Sequence, residues 1–347
     1  MNSDGKPADP TTGVATWTDP GWRDAALVWA KEQLDRLDRT ATGEVEQPHA
    51  RPWSTALRLA VDGGSVWLKA AGSGSAQEPP LAAALGQWVP DRVLVPFAVD
   101  PGKRLLLLPD GGPTLRAAGG ATSIAAWETL LQDYARLQLE LVPRAEELVA
   151  LGVPDARPLR LPGLVRDLLD DDDALLVGRT DGLAEKLRDR VRADLGRYAD
   201  TCRRLAEGGL PMTLQHDDLH DANVFVGDGR HRFFDWGDAV VSHPFVSLLV
   251  PLRSAARVLG VPNGDAVLLR LRDAYLEPWR EHGSPTTLRE QCDLALAVGP
   301  LQRALTWRRI LSGVHPAERT EWQGSVAGWT AEYLEPGSLA EPAADRG

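Results

Sequence analysis

Two short stretches of the chain gather the side chains that do chemistry. One runs Gln215-His216-Asp217-Asp218-Leu219-His220-Asp221-Ala222-Asn223, the other Phe233-Phe234-Asp235-Trp236-Gly237-Asp238. Asp218 and Asn223 stand five residues apart on a loop between short strands, and Asp235 ends the partner strand. A hairpin turning at Gly227-Asp228-Gly229 brings Asn223 and Asp235 close together. A carboxylate and an amide oxygen at adjacent strand ends suit Mg²⁺, a hard cation that takes few protein ligands and keeps water or phosphate oxygens. Asp218 is then left to orient a substrate hydroxyl and accept its proton. Such a set is the catalytic half of a phosphoryl-transfer site.

The order His216-x-Asp218-x-x-x-x-Asn223, followed by Asp235, resembles the motifs of the aminoglycoside-phosphotransferase and choline-kinase group. That resemblance implies a protein-kinase-like fold, ATP as phosphoryl donor and Mg²⁺ as cofactor. It implies Asp218 as catalytic base, Asn223 and Asp235 as metal ligands, and His216 as the brace of the catalytic loop. Two positions depart from the usual pattern. Asp217 stands where Gly is common, and Trp236 stands where protein kinases carry Phe after their metal-binding Asp. Asp217 is expected to point into solvent; the other reading has it raise a neighbouring pKa or touch a cationic substrate.

A kinase also needs a grip on nucleotide. Lys69 lies inside the apolar run Val66-Trp67-Leu68-Lys69-Ala70, where a lysine is costly unless partnered. The resemblance implies that it contacts the α- and β-phosphates. Glu78 opens the next helix, with Pro79 and Pro80 fitting its first turn, and is the natural ion-pair partner. No glycine-rich phosphate loop or Walker pattern is present. The short segment Arg51-Pro52-Trp53-Ser54-Thr55 takes that position, so Ser54 and Thr55 are candidate phosphate donors. Adenine is expected against the connector Leu106–Asp110, with Leu108 and Asp110 as its named contacts.

These residues need elements to hold them. Leu57, Leu59 and Val61, then Val66, Leu68 and Ala70, alternate around Asp62-Gly63-Gly64, which is a hairpin signal. A short helix over Leu81–Trp88 and a strand pair over Leu94–Val99 and Arg104–Leu108 follow. Asp110-Gly111-Gly112-Pro113 breaks the pattern, and beyond it helical spacing dominates: Ser123–Val142, Leu183–Glu207, Ala266–Trp279 and Leu288–Leu311. The expected fold is α+β and two-lobed, with a small antiparallel-sheet N-lobe, a mainly helical C-lobe and a cleft. The expected division is a flexible arm over 1–19, a helix over 20–39, the nucleotide-binding lobe over 40–112, the helical lobe over 113–336 and a flexible tail over 337–347.

The net charge of −11, from 38 basic and 49 acidic residues, repels a phosphate backbone, so nucleic acid is excluded as a partner. A small hydroxylated substrate is expected, a cationic one suiting the charge slightly better than an anionic one. No apolar stretch approaches membrane-spanning length. The start of the chain lacks a signal-peptide pattern, and the two cysteines build no disulfide framework. A cytoplasmic protein is expected; its oligomeric state is left open. Two rivals remain. A zinc hydrolase would use His216, Asp218, His220 and Asp235, but leaves Asn223 and Lys69 without roles. A nucleotide-binding pseudokinase or regulatory module would have lost a catalytic Asp or a metal ligand. Trp279, Trp307, Trp322 and Trp329 are expected in the core rather than stacked on a sugar. The run Asp170-Asp171-Asp172-Asp173 is expected to be a solvated loop rather than an amino-sugar site.

Overall fold

In the computed structural model, which describes residues 11–334, the alternating runs form adjacent strands of one sheet. β1 (Ala41–Arg51), β2 (Ser54–Val61), β3 (Gly64–Ala71), β4 (Ala98–Asp100) and β5 (Leu105–Pro109) lie in the order β1-β2-β3-β5-β4, all antiparallel. The turn between β2 and β3 uses Gly63 at φ 80° and Gly64 at φ 153°, backbone that glycine adopts without penalty. β1 is an edge strand, which is why it tolerates Pro48 and register shifts on either side of Val45-Glu46.

Alternation decides which face of the sheet is covered. Leu57, Leu59, Val61, Val66, Leu68, Leu105 and Leu107 point to one side. There they meet Trp29, Ala30 and Leu34 of the helix Pro20–Arg36, and Trp17 of the helix before it. The first two helices are therefore α1 (Val14–Thr18) and α2 (Pro20–Arg36), the latter capped by Asp19, whose carboxylate accepts from the Trp22 amide at 2.8 Å. α3 (Glu78–Trp88) follows β3.

The first compact unit comprises the described residues up to Pro90, Leu94–Asp110 and Arg309–Trp322. This corrects the expected boundaries in two places. Residues 11–19 are not a flexible arm: Thr12 bridges Val314, and the Trp17 indole is buried and donates to the Arg51 carbonyl at 2.7 Å. Burial of that large ring with its polar edge satisfied anchors the segment. Residues 1–10 and the expected tail 337–347 lie outside the described residues. The other correction is Arg309–Trp322, which joins this unit instead of the helical one. Gly74 makes that approach possible, since a Cβ there would lie 2.6 Å from the Arg309 carbonyl oxygen.

The second unit holds Asp91–Val93, Gly111–Arg308 and the described residues from Gln323 onward. Its helices are α4 (Ile124–Leu141), α5 (Ala145–Ala150), α6 (Leu161–Leu169), α7 (Asp172–Leu175), α8 (Glu185–Ala193), α9 (Leu195–Glu207), α10 (Leu249–Leu259), α11 (Ala266–Leu276), α12 (Pro285–Ser312, whose last turn belongs to the first unit) and α13 (Ser325–Glu332). The single helix expected over Leu183–Glu207 is broken at Asp194. Two small ladders complete it: β6 (Thr213–Gln215) with β9 (Val240–Ser242), and β7 (Val224–Gly227) with β8 (Arg230–Phe233). β9 was not foreseen, being three residues long and buried throughout, without alternation to read.

Trp127, Leu130, Tyr134, Leu137 and Leu141 of α4 are buried, as are Leu271 and Tyr275 of α11, against which α4 packs. Trp279, Trp307 and Trp329 are buried here, and Trp322 in the first unit, as expected of core tryptophans. Among the described residues no helix is long and apolar enough to cross a membrane.

Candidate active site

The catalytic segment is hung from α4. Tyr134 and Gln138, four residues apart, share one helix face. The Gln138 side-chain amide donates to the Leu214 carbonyl at 3.0 Å, the Gln138 main-chain carbonyl accepts from the Thr213 hydroxyl at 2.7 Å, and the Tyr134 hydroxyl accepts from the His216 amide at 2.8 Å. β6 and the start of the loop are thus pinned residue by residue.

His216 is fully buried, its ring against Trp236 with centroids 4.8 Å apart. Nε2 lies 2.7 Å from the Phe234 carbonyl oxygen and therefore carries the proton that it donates. Burial lowers its pKa. The contact ties the catalytic loop to the segment leading to Asp235, and so supports the bracing reading; a buried ring of this kind does not reach a substrate.

Asp217 has φ 63°, in the left-handed region. That explains why glycine is common at this position: it takes such backbone freely, and aspartate is among the few other residues that tolerate it. Its side chain corrects the expectation of a solvent-pointing carboxylate. It is 6% exposed, accepting from Gln302 Nε2 at 3.1 Å and the Thr306 hydroxyl at 2.5 Å. Arg303 Nη1 lies 3.8 Å away. Burial raises its pKa, opposed by the Arg303 charge and the Thr306 hydrogen bond.

Asp218 Oδ1 accepts from Arg303 Nη2 at 2.7 Å, and its carbonyl accepts from Asn223 Nδ2 at 2.9 Å. Across the hairpin Val224 pairs with Phe233, and the Phe234 amide donates to the Asn223 carbonyl at 3.3 Å. Asp235 follows directly, in left-handed backbone at φ 65°, two residues beyond the end of β8. The loop's far end is fixed by Asp221, fully buried, which Arg116 grips through two hydrogen bonds of 3.0 and 2.9 Å. Burial would raise the Asp221 pKa, but the Arg116 contacts hold it below the ordinary carboxylate value.

His220 Nδ1 accepts from the Ala222 amide at 3.1 Å, and burial and the Arg116 charge lower its pKa to about 4. One nitrogen of each histidine is thus spent on the backbone. Among the described residues no group of three or more His, Cys, Asp and Glu side chains is arranged to hold a metal, so the zinc cluster of the hydrolase reading is not formed.

In the first unit, Lys69 Nζ and Glu78 Oε1 are 2.5 Å apart, both side chains largely buried. Lys69 faces Ala56 on one side and Leu106 on the other, and Trp67 faces Leu108. Directly paired residues share a face. Ser54, Lys69 and Leu108 therefore lie on the side of the sheet opposite the α2 core. Thr55 lies on the other side, fully buried, its hydroxyl donating to the His49 carbonyl at 2.8 Å and accepting from Gln47 at 3.0 Å. The expected phosphate-donor role of Thr55 is thus overturned, because period-two alternation turns it inward. Asp110 accepts from the Ser65 hydroxyl at 2.7 Å.

Sequence reasoning did not single out Gln302, Arg303 and Thr306, which reach the catalytic loop from α12. A signal existed. Arg303 interrupts the mostly apolar run Val298–Trp307, and a charge there demands a partner as much as Lys69 does.

A phosphotransferase enzyme family model matches residues 128–284, the stretch that holds α4, the catalytic loop and Asp235. A comparison with curated protein sequences finds no match. Solved structures similar to the chain include an ethanolamine kinase from Plasmodium vivax, at TM-score 0.60 and 12% identity over 92% of this chain and 88% of the other. A macrolide 2'-phosphotransferase from Brachybacterium faecium follows at 0.54 and 21%, covering 88% and 97%. A choline kinase from Streptococcus pneumoniae gives 0.58 and 12%, covering 90% and 98%. At such identities these likenesses define the fold, which is two-lobed and protein-kinase-like. With the family match, the class is a small-molecule kinase. The resemblance read from the catalytic loop, to the aminoglycoside-phosphotransferase and choline-kinase group, stands.

Proposed function

We propose that this phosphotransferase moves the γ-phosphoryl group of ATP onto a hydroxyl of a small molecule, with Mg²⁺ as cofactor. Asp218 orients the acceptor hydroxyl and takes its proton. Lys69, held by Glu78, meets the α- and β-phosphates; Ser54 assists from the same sheet face, and adenine lies against the connector Leu108–Asp110. His216 and Arg116 keep the loop in place. The metal donors are Asn223 and Asp235, an amide and a carboxylate oxygen, which is the hard-oxygen chemistry that Mg²⁺ requires. Bound there, the ion would neutralise charge on the transferring phosphate. The remaining catalysis is positioning, since the chemistry asks little covalent work of the protein. ATP as donor is consistent with a cytoplasmic location.

The observation that carries this reading is the Asn223 amide. Its nitrogen is held on the Asp218 carbonyl, which leaves its side-chain oxygen available as a ligand, and its main chain is hydrogen-bonded to Phe234, the residue before Asp235. The acceptor is proposed to be an aminoglycoside, an amino sugar or an amino alcohol. The similar structures named for ethanolamine, choline and a macrolide set the breadth of the panel to be tried. A coupled ADP-release screen over those classes is the test. Acceptor-dependent and magnesium-dependent ADP release is expected. ATP binding without transfer to any compound would overturn the enzyme in favour of a nucleotide-binding regulatory module. Asp235→Ala should abolish the magnesium dependence of ATP binding, measured by calorimetry with and without the metal; an unchanged metal response would remove Asp235 from the site.

A further inference from the structure

Among the described residues, Arg303 is the one guanidinium buried among the carboxylates of the proposed catalytic segment: it is 4% exposed and contacts three of them. Nη2 donates to Asp218 Oδ1 at 2.7 Å, Nη1 donates to Asp238 Oδ2, and Asp217 Oδ2 lies 3.8 Å from Nη1. The Trp307 ring lies against the group, 5.5 Å from guanidinium carbon to centroid. Nothing about folding alone asks for this arrangement. Taking a guanidinium out of water costs several kcal/mol, by order of magnitude, and apolar packing of the same volume is usually at least as stable. Gln302 and Thr306 offset part of that cost on the carboxylate side by donating to Asp217.

We propose that Arg303 is a positioning residue for phosphoryl transfer, its guanidinium fork fixing the Asp218 carboxylate while Asp217 and Asp238 fix the fork. The proposal rests on the reading of Asp218 as the base. The division of labour follows from geometry. A guanidinium is planar and presents its donors at set angles, so holding Nη1 sets the direction in which Nη2 meets its partner. Nη1 is tied to Asp238, beyond the metal-binding segment, and lies near Asp217, which precedes Asp218. Nη2 is aimed at Asp218. Arginine also suits a partner of a proton acceptor: it has no acceptor of its own and keeps its charge, so it never competes for the proton that Asp218 takes. Lysine would supply the charge without the fork.

Three variants of the full chain test this: Arg303→Lys, Arg303→Met and Arg303→Ala. Turnover is measured with magnesium-ATP and the panel acceptor giving fastest ADP release, or with water as acceptor where none does. Arg303→Lys is expected to lower kcat about 100-fold, the cost of a misplaced reacting group, with KM for magnesium-ATP within about twofold. Millimolar guanidinium should restore much of the loss in Arg303→Ala, and ethylammonium should not. Wild-type kcat in Arg303→Lys, or rescue by either cation alike, would overturn the proposal. A crystal structure of Arg303→Met, or of Arg303→Lys where the former does not fold, supplies a readout independent of turnover: the Asp218 carboxylate should leave its present orientation. An unmoved carboxylate overturns the positioning role even in a protein that transfers no phosphate. A wild-type chain without transfer, whose Asp218 nevertheless moves in the variant, would sink the kinase reading and leave the pairing standing.

Discussion

Two sets of aspartates in the second unit are held in opposite ways. In Asp170–Asp173 each carboxylate meets a different arginine: Arg192 at 2.6 Å, Arg308 at 2.7 Å, Arg188 at 2.5 Å and Arg179 at 3.4 Å, in order. Asp173 is 94% exposed, and Asp171 doubles as the N-cap of α7. Asp217, Asp218 and Asp238 instead share one arginine, and the Asp217 and Arg303 side chains are each 5% exposed. Water screens the first set, so its pairs contribute little to stability, which fits the expectation of a solvated run rather than an amino-sugar site. In the second set three carboxylates, one of them buried, meet one buried cation. Charge there is held at a cost, and a cost of that kind is found where chemistry is done.

The comparison breaks most visibly at Asp218. Asp218→Asn keeps the size and the Arg303 contact of one oxygen but removes the proton acceptor, and kcat should fall about 1,000-fold, within the range for a general base. Nucleotide affinity, measured by calorimetry, should be nearly unchanged; retained turnover would take the base away from Asp218 and the special status away from the second set.

Titration sharpens the contrast at the next level. His243, fully buried close to Gln215, accepts from the Phe245 amide through Nδ1, and burial lowers its pKa to about 3. The unfolded chain binds that proton below about pH 6.5 and the folded chain does not, so stability rises with pH between these values and is lost as pH falls. Between pH 6.5 and 5 this loss should be roughly 1.5 kcal/mol, read from urea midpoints. His243→Asn keeps an acceptor for the Phe245 amide and should flatten that slope; an equal slope in both proteins would assign the acid sensitivity elsewhere.

The smallest effect belongs to the exposed run. Asp172→Ala should change unfolding free energy by no more than about 0.5 kcal/mol and leave kcat unaltered. A raised KM or a lowered kcat with an amino-sugar acceptor would assign that run to the substrate site and erase the distinction.

Much of the architecture was legible because it is periodic. The β2–β3 hairpin is written in alternation around a turn that glycine permits, and α4 follows a capped helical period from Ser123. Lys69 and Glu78 could be paired because a lysine in an apolar strand requires a partner and the next helix opens on an acid. Thr55 was misjudged for the same periodicity: the pleat, applied one residue further, turns it toward Gln47 and away from Lys69. Asp217 was misjudged for another reason, since its partners lie 85 and 89 residues away on α12.

The sequence by itself determined which side chains are proposed to take part in the reaction. The Asp218-x-x-x-x-Asn223 spacing and the hairpin to Asp235 are local, and local geometry follows from residue types and turn length. Tertiary structure alone decided how those side chains are held. Tyr134 and Gln138 fix the start of the loop, Arg116 its end, and Arg303 its carboxylate. None of these partnerships has a spacing to read, because each joins elements that meet only when their apolar faces are buried, and burial is where a shared charge becomes strong enough to matter.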